Sequence, residues 1–164
     1  MASTYSNLGL DLQVTGSNNN TWGEYTNTNL QRIDKVISGY TTVQCNSTTI
    51  TLAFSTNTSS TTYAEENSQN RIIKFTSGSA SADITVTVPD IEKEYIVENQ
   101  SGYNITFTAG GSTTYLLDTD RMAPIYIDGS QGVYNSLNKL KVNTIEADNV
   151  LGGADPIVFA VALG

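Results

Sequence analysis

The sequence predicts a mainly β fold: an N-terminal arm and one amphipathic helix, followed by an antiparallel β-sandwich or small barrel. Three observations carry this reading. From residue 41 onward, apolar and polar residues alternate with period two. Such segments, near residues 84, 94, 104, 114 and 124, recur about every ten residues with turn signals between them. The 164 residues include 23 Thr, 16 Ser and 16 Asn, and threonine alternating with Ile and Val favours strands. The repeat is one of length rather than of sequence, so no solenoid is expected.

The elements divide the chain into an N-terminal arm and helix at 1–40, an antiparallel β-domain at 41–134 and a C-terminal extension at 135–164. In the first, Tyr5, Leu8, Leu10, Leu12 and Val14 alternate loosely around Gly9, as a short strand or extended arm would. Gly16 to Asn20 break that pattern as a loop. Thr21-Trp22-Gly23-Glu24 then fits a capping box, with Thr21 as N-cap. At 100° per residue, Val36, Trp22, Ile33, Ile37 and Leu30 share a face about 120° wide. Gly39 supplies the stop. Trp22, Leu30, Ile33 and Ile37 are therefore expected to anchor the helix, against the rest of its module or against a neighbouring protein. Asn29 interrupts the stripe, which calls for a hydrogen-bonding partner or a position at its solvent boundary.

In the β-domain, Ile50, Leu52 and Phe54 form the first alternating run, and a polar loop covers 55–69. Ile73 and Phe75 follow, then Ile84, Val86 and Val88, Tyr95 and Val97, Ile105 and Phe107, Tyr115 and Leu117, and Ile125 and Ile127. Ala109 to Ser112 and Asp128-Gly129 read as hairpin turns. Ile84, Val86, Val88, Ile105, Phe107, Ile125 and Ile127 should face the core, with Thr85 and Thr87 outward. The extension ends in an apolar run containing Ile157, Val158, Phe159, Val161 and Leu163, expected to be covered by another copy of the chain, making the protein a homo-oligomer.

Chemistry is sparse. The sequence contains no histidine, which excludes a Ser-His-Asp triad and His-ligated zinc. Its single cysteine, Cys45, reads as a small packed or boundary residue. Sixteen acidic against eight basic residues, a net charge of −8, argue against nucleic acid as a partner. No run approaches the roughly 18 apolar residues of a membrane span, and Met1 to Thr4 lack the features of a signal peptide. Asp118 and Asp120 with Asp128 offer oxygen ligands, but their spacing fits no EF-hand, and solvated turns are the simpler reading. Glu92, Glu94 and Glu98 read as exposed strand-end charges rather than a glycosidase pair. The expectation is no enzyme, no catalytic residues, no cofactor and no metal.

Two segments carry a resemblance. Ser3-Thr4-Tyr5-Ser6-Asn7-Leu8-Gly9-Leu10, with Thr21-Trp22-Gly23, Asn27-Thr28-Asn29-Leu30 and Ile33-Asp34, resembles the N-terminal module of tail-fibre and related virion proteins of tailed bacteriophages, marine and cyanobacterial ones especially. Tyr95 to Gly102, through Ile105-Thr106-Phe107 to Tyr126-Ile127-Asp128-Gly129, is similar to the β-domain that often follows it. The resemblance implies a structural virion protein on the tail or capsid surface, partnered by other virion proteins, with a trimer favoured and a host surface glycan as a further partner. It transfers no catalytic residues. Fibres are usually much longer than this chain, so a fibre fragment, a short tail-attached protein and a capsid-decorating or cement protein all fit. A carbohydrate-binding module is the alternative, with Tyr63, Tyr103 and Tyr115 as its exposed aromatics.

Overall fold

The computed structural model describes residues 4–16, 19–54 and 66–137. The chain opens with a small antiparallel hairpin, β1 (Thr4–Tyr5) and β2 (Asp11–Leu12), pairing Thr4 with Leu12 and Tyr5 with Asp11. The turn is tight because Gly9, at φ 71°, supplies a left-handed conformation. Helix α1 (Trp22–Ser38) follows where the sequence places it. Its N-terminus departs from the expected capping box: backbone N–H groups of Glu24 and Tyr25 reach the Thr21 carbonyl, and no side chain caps the end. The helix does stop at Gly39, but in extended rather than left-handed conformation. Glycine is needed there for space, since a Cβ would strike the Lys35 carbonyl and the Asn70 side chain.

The remaining strands are β3 (Tyr40–Cys45), β4 (Thr49–Thr51), β5 (Ile72–Ser77), β6 (Ile84–Thr87), β7 (Lys93–Gln100), β8 (Ile105–Thr108), β9 (Tyr115–Leu117), β10 (Arg121–Ile127) and β11 (Val133–Asn135). A 3-10 turn at Asn67–Gln69 precedes β5. They build two mixed sheets, one of five strands ordered β11-β10-β7-β5-β3 and one of four ordered β4-β6-β8-β9. The fold is mainly β and sandwich-like, as the alternation predicts.

Strand direction is where the structure departs from the expected antiparallel domain. β3, β5 and β7 run parallel in one sheet, and β4, β6 and β8 run parallel in the other. The chain therefore alternates between sheets: β3 then β4, β5 then β6, β7 then β8, each pair laid beside the one before. Parallel neighbours need a crossover, and here a strand of the opposite sheet provides it. Only after β8 does the chain reverse, with antiparallel pairings of β9 to β8 and of β10 to β7 and β11. The expected hairpin turns lie at these reversals, 109–114 between β8 and β9 and 128–132 between β10 and β11.

One core lies between the sheets. Ile73, Phe75, Tyr95, Val97, Ile125 and Ile127 face Ile84, Val86, Val88, Ile105, Phe107 and Leu117, all buried. Phe75 and Phe107 meet edge-to-face across the gap, with centroids 5.5 Å apart. Cys45 is buried in the same cluster, as a packed residue should be, and burial pushes its thiol pKa up. The threonines alternate outward and stack in register on the four-stranded sheet, Thr49 with Thr85 and Thr106, and Thr51 with Thr87 and Thr108.

Two buried polar residues hold the periphery. Asn99, in register with Phe75, donates through Nδ2 to the carbonyls of Tyr103 (2.8 Å), Leu117 and Asp118 (3.1 Å each). Its Oδ1 accepts from the Ser101 hydroxyl at 2.7 Å and the Ser101 N–H at 3.1 Å. One side chain thus closes two turns at the end of the sandwich. Lys93 is buried at the start of β7, its Nζ donating to the carbonyls of Ser68 and Asn70 and sitting 4.5 Å from the centroid of the Tyr95 ring.

Burial lowers the Lys93 pKa from 10.5 to about 7 and raises that of Tyr95 above its ordinary value of 10. Between about pH 7 and 10.5 the unfolded chain binds more protons at Lys93 than the folded one, so this contribution to stability rises with pH there and is lost as pH falls through about 7. The Tyr95 contribution is present below pH 10 and is lost above it, as the unfolded chain ionises first. Urea midpoints should increase from pH 7 to pH 9 through Lys93, and Lys93→Met should flatten that increase.

Candidate functional site

The helix faces its own domain with polar groups. Asn29 exchanges two 2.9 Å hydrogen bonds with the backbone of Asp11, accepting from its N–H and donating to its carbonyl. This is the partner that its place in the apolar stripe calls for. Gln13 donates to the Thr26 hydroxyl at 3.1 Å. Arg32 is fully buried, with Nη2 2.8 Å from Glu66 Oε1 and Nη1 donating to the Leu8 carbonyl at 3.4 Å. Thr28 is buried beside it in sequence, one turn away.

These contacts rotate the apolar stripe away from the domain. Trp22 is 64% exposed, Leu30 59%, Ile33 38% and Ile37 63%. The expectation that these residues anchor the helix within its own module is therefore overturned. The physical reason is that the buried Arg32–Glu66 pair occupies the inner face, about 100° around the helix from Ile33, with Asn29 bonding the Asp11 backbone between the two. Burial of apolar groups, the usual reason for a helix to dock, is left undone on this side.

The exposed stripe has its own order. Leu30, Ile33 and Ile37 follow one another at steps of three and four residues, the spacing of a helical packing seam. Tyr40, 57% exposed, is the first residue of β3. From it an apolar row crosses the outer face of the five-stranded sheet: Tyr40 lies beside Ile72, Ile72 beside Ile96, and Ile96 beside Pro124. One row further along, Lys74 and Glu98 pair at 3.2 Å. Gly39 alone separates the end of the helix from Tyr40 at the start of the row. Large apolar side chains exposed together on one helix face mark a site of association.

The other candidates dissolve into structure. Asp128 accepts from the N–H groups of Ser130 (2.8 Å) and Gly132 (3.0 Å), which stiffens its hairpin loop and lowers its carboxyl pKa. No group of three or more His, Cys, Asp or Glu suited to a metal occurs among the described residues. Glu94 pairs with Arg71 at 3.9 Å and Glu98 with Lys74, both on strand β7. Tyr103 and Tyr115 pack partly against the core, and Tyr63 lies outside the described residues. So do Ile157, Val158, Phe159, Val161 and Leu163, on which the sequence-based argument for an oligomer rests. No helix among the described residues is long and apolar enough to cross a membrane. Comparison with protein-family models, curated proteins and solved structures yields no match.

Proposed function

We propose that this chain is a structural protein of a tailed-bacteriophage virion, a tail fibre or tail-attached protein that assembles through its helix and presents the β-sandwich outward. The observation that carries this reading is the apolar seam of α1, turned away from a domain that holds the helix by hydrogen bonds and a buried ion pair. A helix arranged in this way is built to pack against something else. The sequence resemblance of the N-terminal module to virion attachment modules falls on the same segment. A homotrimer is the favoured assembly, with Leu30, Ile33 and Ile37 packing at a shared axis as apolar seam positions do in helical bundles. Capsid decoration is the alternative placement of the same interface.

Two experiments test this. Light scattering of the full chain should give a trimer whose urea midpoint rises with protein concentration, and a Trp22→Ser/Ile33→Ser/Ile37→Ser variant should be a folded monomer whose midpoint does not. A variant that unfolds instead, or stays trimeric, overturns the assembly role. Gold-labelled antibody to the chain should decorate the tails of particles that carry it. Label over the shell selects decoration, and label on no particle removes the virion reading.

A further inference from the structure

A second feature lies at the other edge of the five-stranded sheet and shares no residue with the helix seam. The register of β10 and β11 sets Tyr126 opposite Tyr134, and their rings stack with centroids 5.0 Å apart and planes 17° apart. Tyr134 is held in place. The Tyr134 hydroxyl bonds the Asp128 carboxylate. Its ring lies so close over Gly132 that any Cβ there would strike it. The pair lines a groove of about 430 Å³ together with Thr113, Thr114, Tyr115, Val133, Asn135 and Ser136. Asn135 is fixed as well, donating to the Tyr115 hydroxyl at 2.9 Å and accepting from the Leu137 N–H at 2.7 Å.

We propose that this groove binds a neutral saccharide, one pyranose ring stacking on the tyrosine pair while its hydroxyls bond the Thr113, Thr114 and Ser136 hydroxyls. The volume falls within the usual range of small-molecule sites, about 300–1,000 Å³. A sugar ring has an apolar C–H face and a hydroxyl edge, and the lining of the groove combines aromatic rings with threonine and serine hydroxyls. Rigid tyrosines bind with little loss of side-chain freedom. Charge selects among ligands. No charged residue lines the groove, and a chain of net charge −8 repels phosphate-bearing ones. Choline, a cation that also packs over aromatic faces, is the competing ligand, and its binding would weaken with salt where that of a neutral sugar would not.

The test is titration of the full chain with an array of neutral glycans, followed by calorimetry with the best trisaccharide. Binding should be insensitive to salt between about 50 and about 500 mM. Tyr126→Ala should weaken it about tenfold, the loss expected for a stacked ring, with the urea midpoint unchanged. Tyr126→Phe should retain it, and Tyr40→Ala, which removes an exposed aromatic outside the groove, should leave it untouched. The proposal is overturned if no neutral glycan binds, if Tyr126→Ala binds as well as the parent chain, or if choline chloride binds at the groove in a salt-dependent manner.

Discussion

Replacing Arg32 by alanine is expected to destabilise the protein by about 3–5 kcal/mol, the usual cost of breaking a buried ion pair from one side. The guanidinium is fully buried and joins three segments: the helix that carries it, the arm through the Leu8 carbonyl, and the chain entering β5 through Glu66. Without it Glu66, 4% exposed, keeps a buried carboxylate whose remaining positive neighbour is the half-buried Lys35. The partners left behind carry most of the cost, so Arg32→Met combined with Glu66→Gln should recover much of it. Urea unfolding of the three chains measures this. A loss below about 1 kcal/mol in Arg32→Ala would place the pair in the class of solvated surface bridges and remove its role as the clamp of the helix.

That clamp explains why the helix itself was readable and its orientation was not. The periodicity of Leu30, Ile33, Val36 and Ile37 specifies a helix with one apolar face, and α1 spans Trp22–Ser38. Which face meets the domain is decided by partners far along the chain. Glu66 lies 34 residues after Arg32, and Leu8 lies 24 before it. An arginine in the last turns of a helix reads as a dipole-stabilising surface charge, and nothing local marks it as buried. Asn29 was the one visible signal, a polar residue set into an apolar stripe, and it bonds the Asp11 backbone at the border between the inner face and the seam.

The sheets divide in the same way. Alternation identified the inward set at Ile84, Val86, Val88, Ile105, Phe107, Ile125 and Ile127, all buried, because side-chain period is a property of one strand alone. Strand direction is a property of pairs. A ten-residue spacing is equally served by a hairpin within one sheet or a crossing to the other, so the parallel winding of β3 to β8 left no trace in the pattern. Turn chemistry did carry direction at Asp128-Gly129, where Gly129 adopts φ 67° and β10 reverses into β11. The tyrosine groove was missed for a related reason. Tyr126 and Tyr134 are eight residues apart with nothing remarkable about the spacing, and only the β10–β11 register stacks them.

Phe107→Ala should produce a loss of similar size to Arg32→Ala by a different route, about 3–5 kcal/mol from lost burial and the cavity left behind. Phe107 has no exposure and touches the opposite sheet through the edge of Phe75, with ring planes at 66°. In its own sheet it lies between Val86 on β6 and Tyr115 on β9. Those neighbours belong to strands fixed by their ladders, so the walls have little freedom to close over the space. Phe107→Leu keeps most of the volume and should cost about 1.5 kcal/mol or less. Thr106, next in the chain but on the outer face, supplies the control: Thr106→Ala should change stability by no more than about 0.5 kcal/mol. Urea midpoints with an unchanged slope measure all three. The contrast between neighbours is the decisive quantity, because a one-residue slip of the strand would reverse it. Equal losses at the two positions would mean that β8 does not present its faces as the two-sheet arrangement requires.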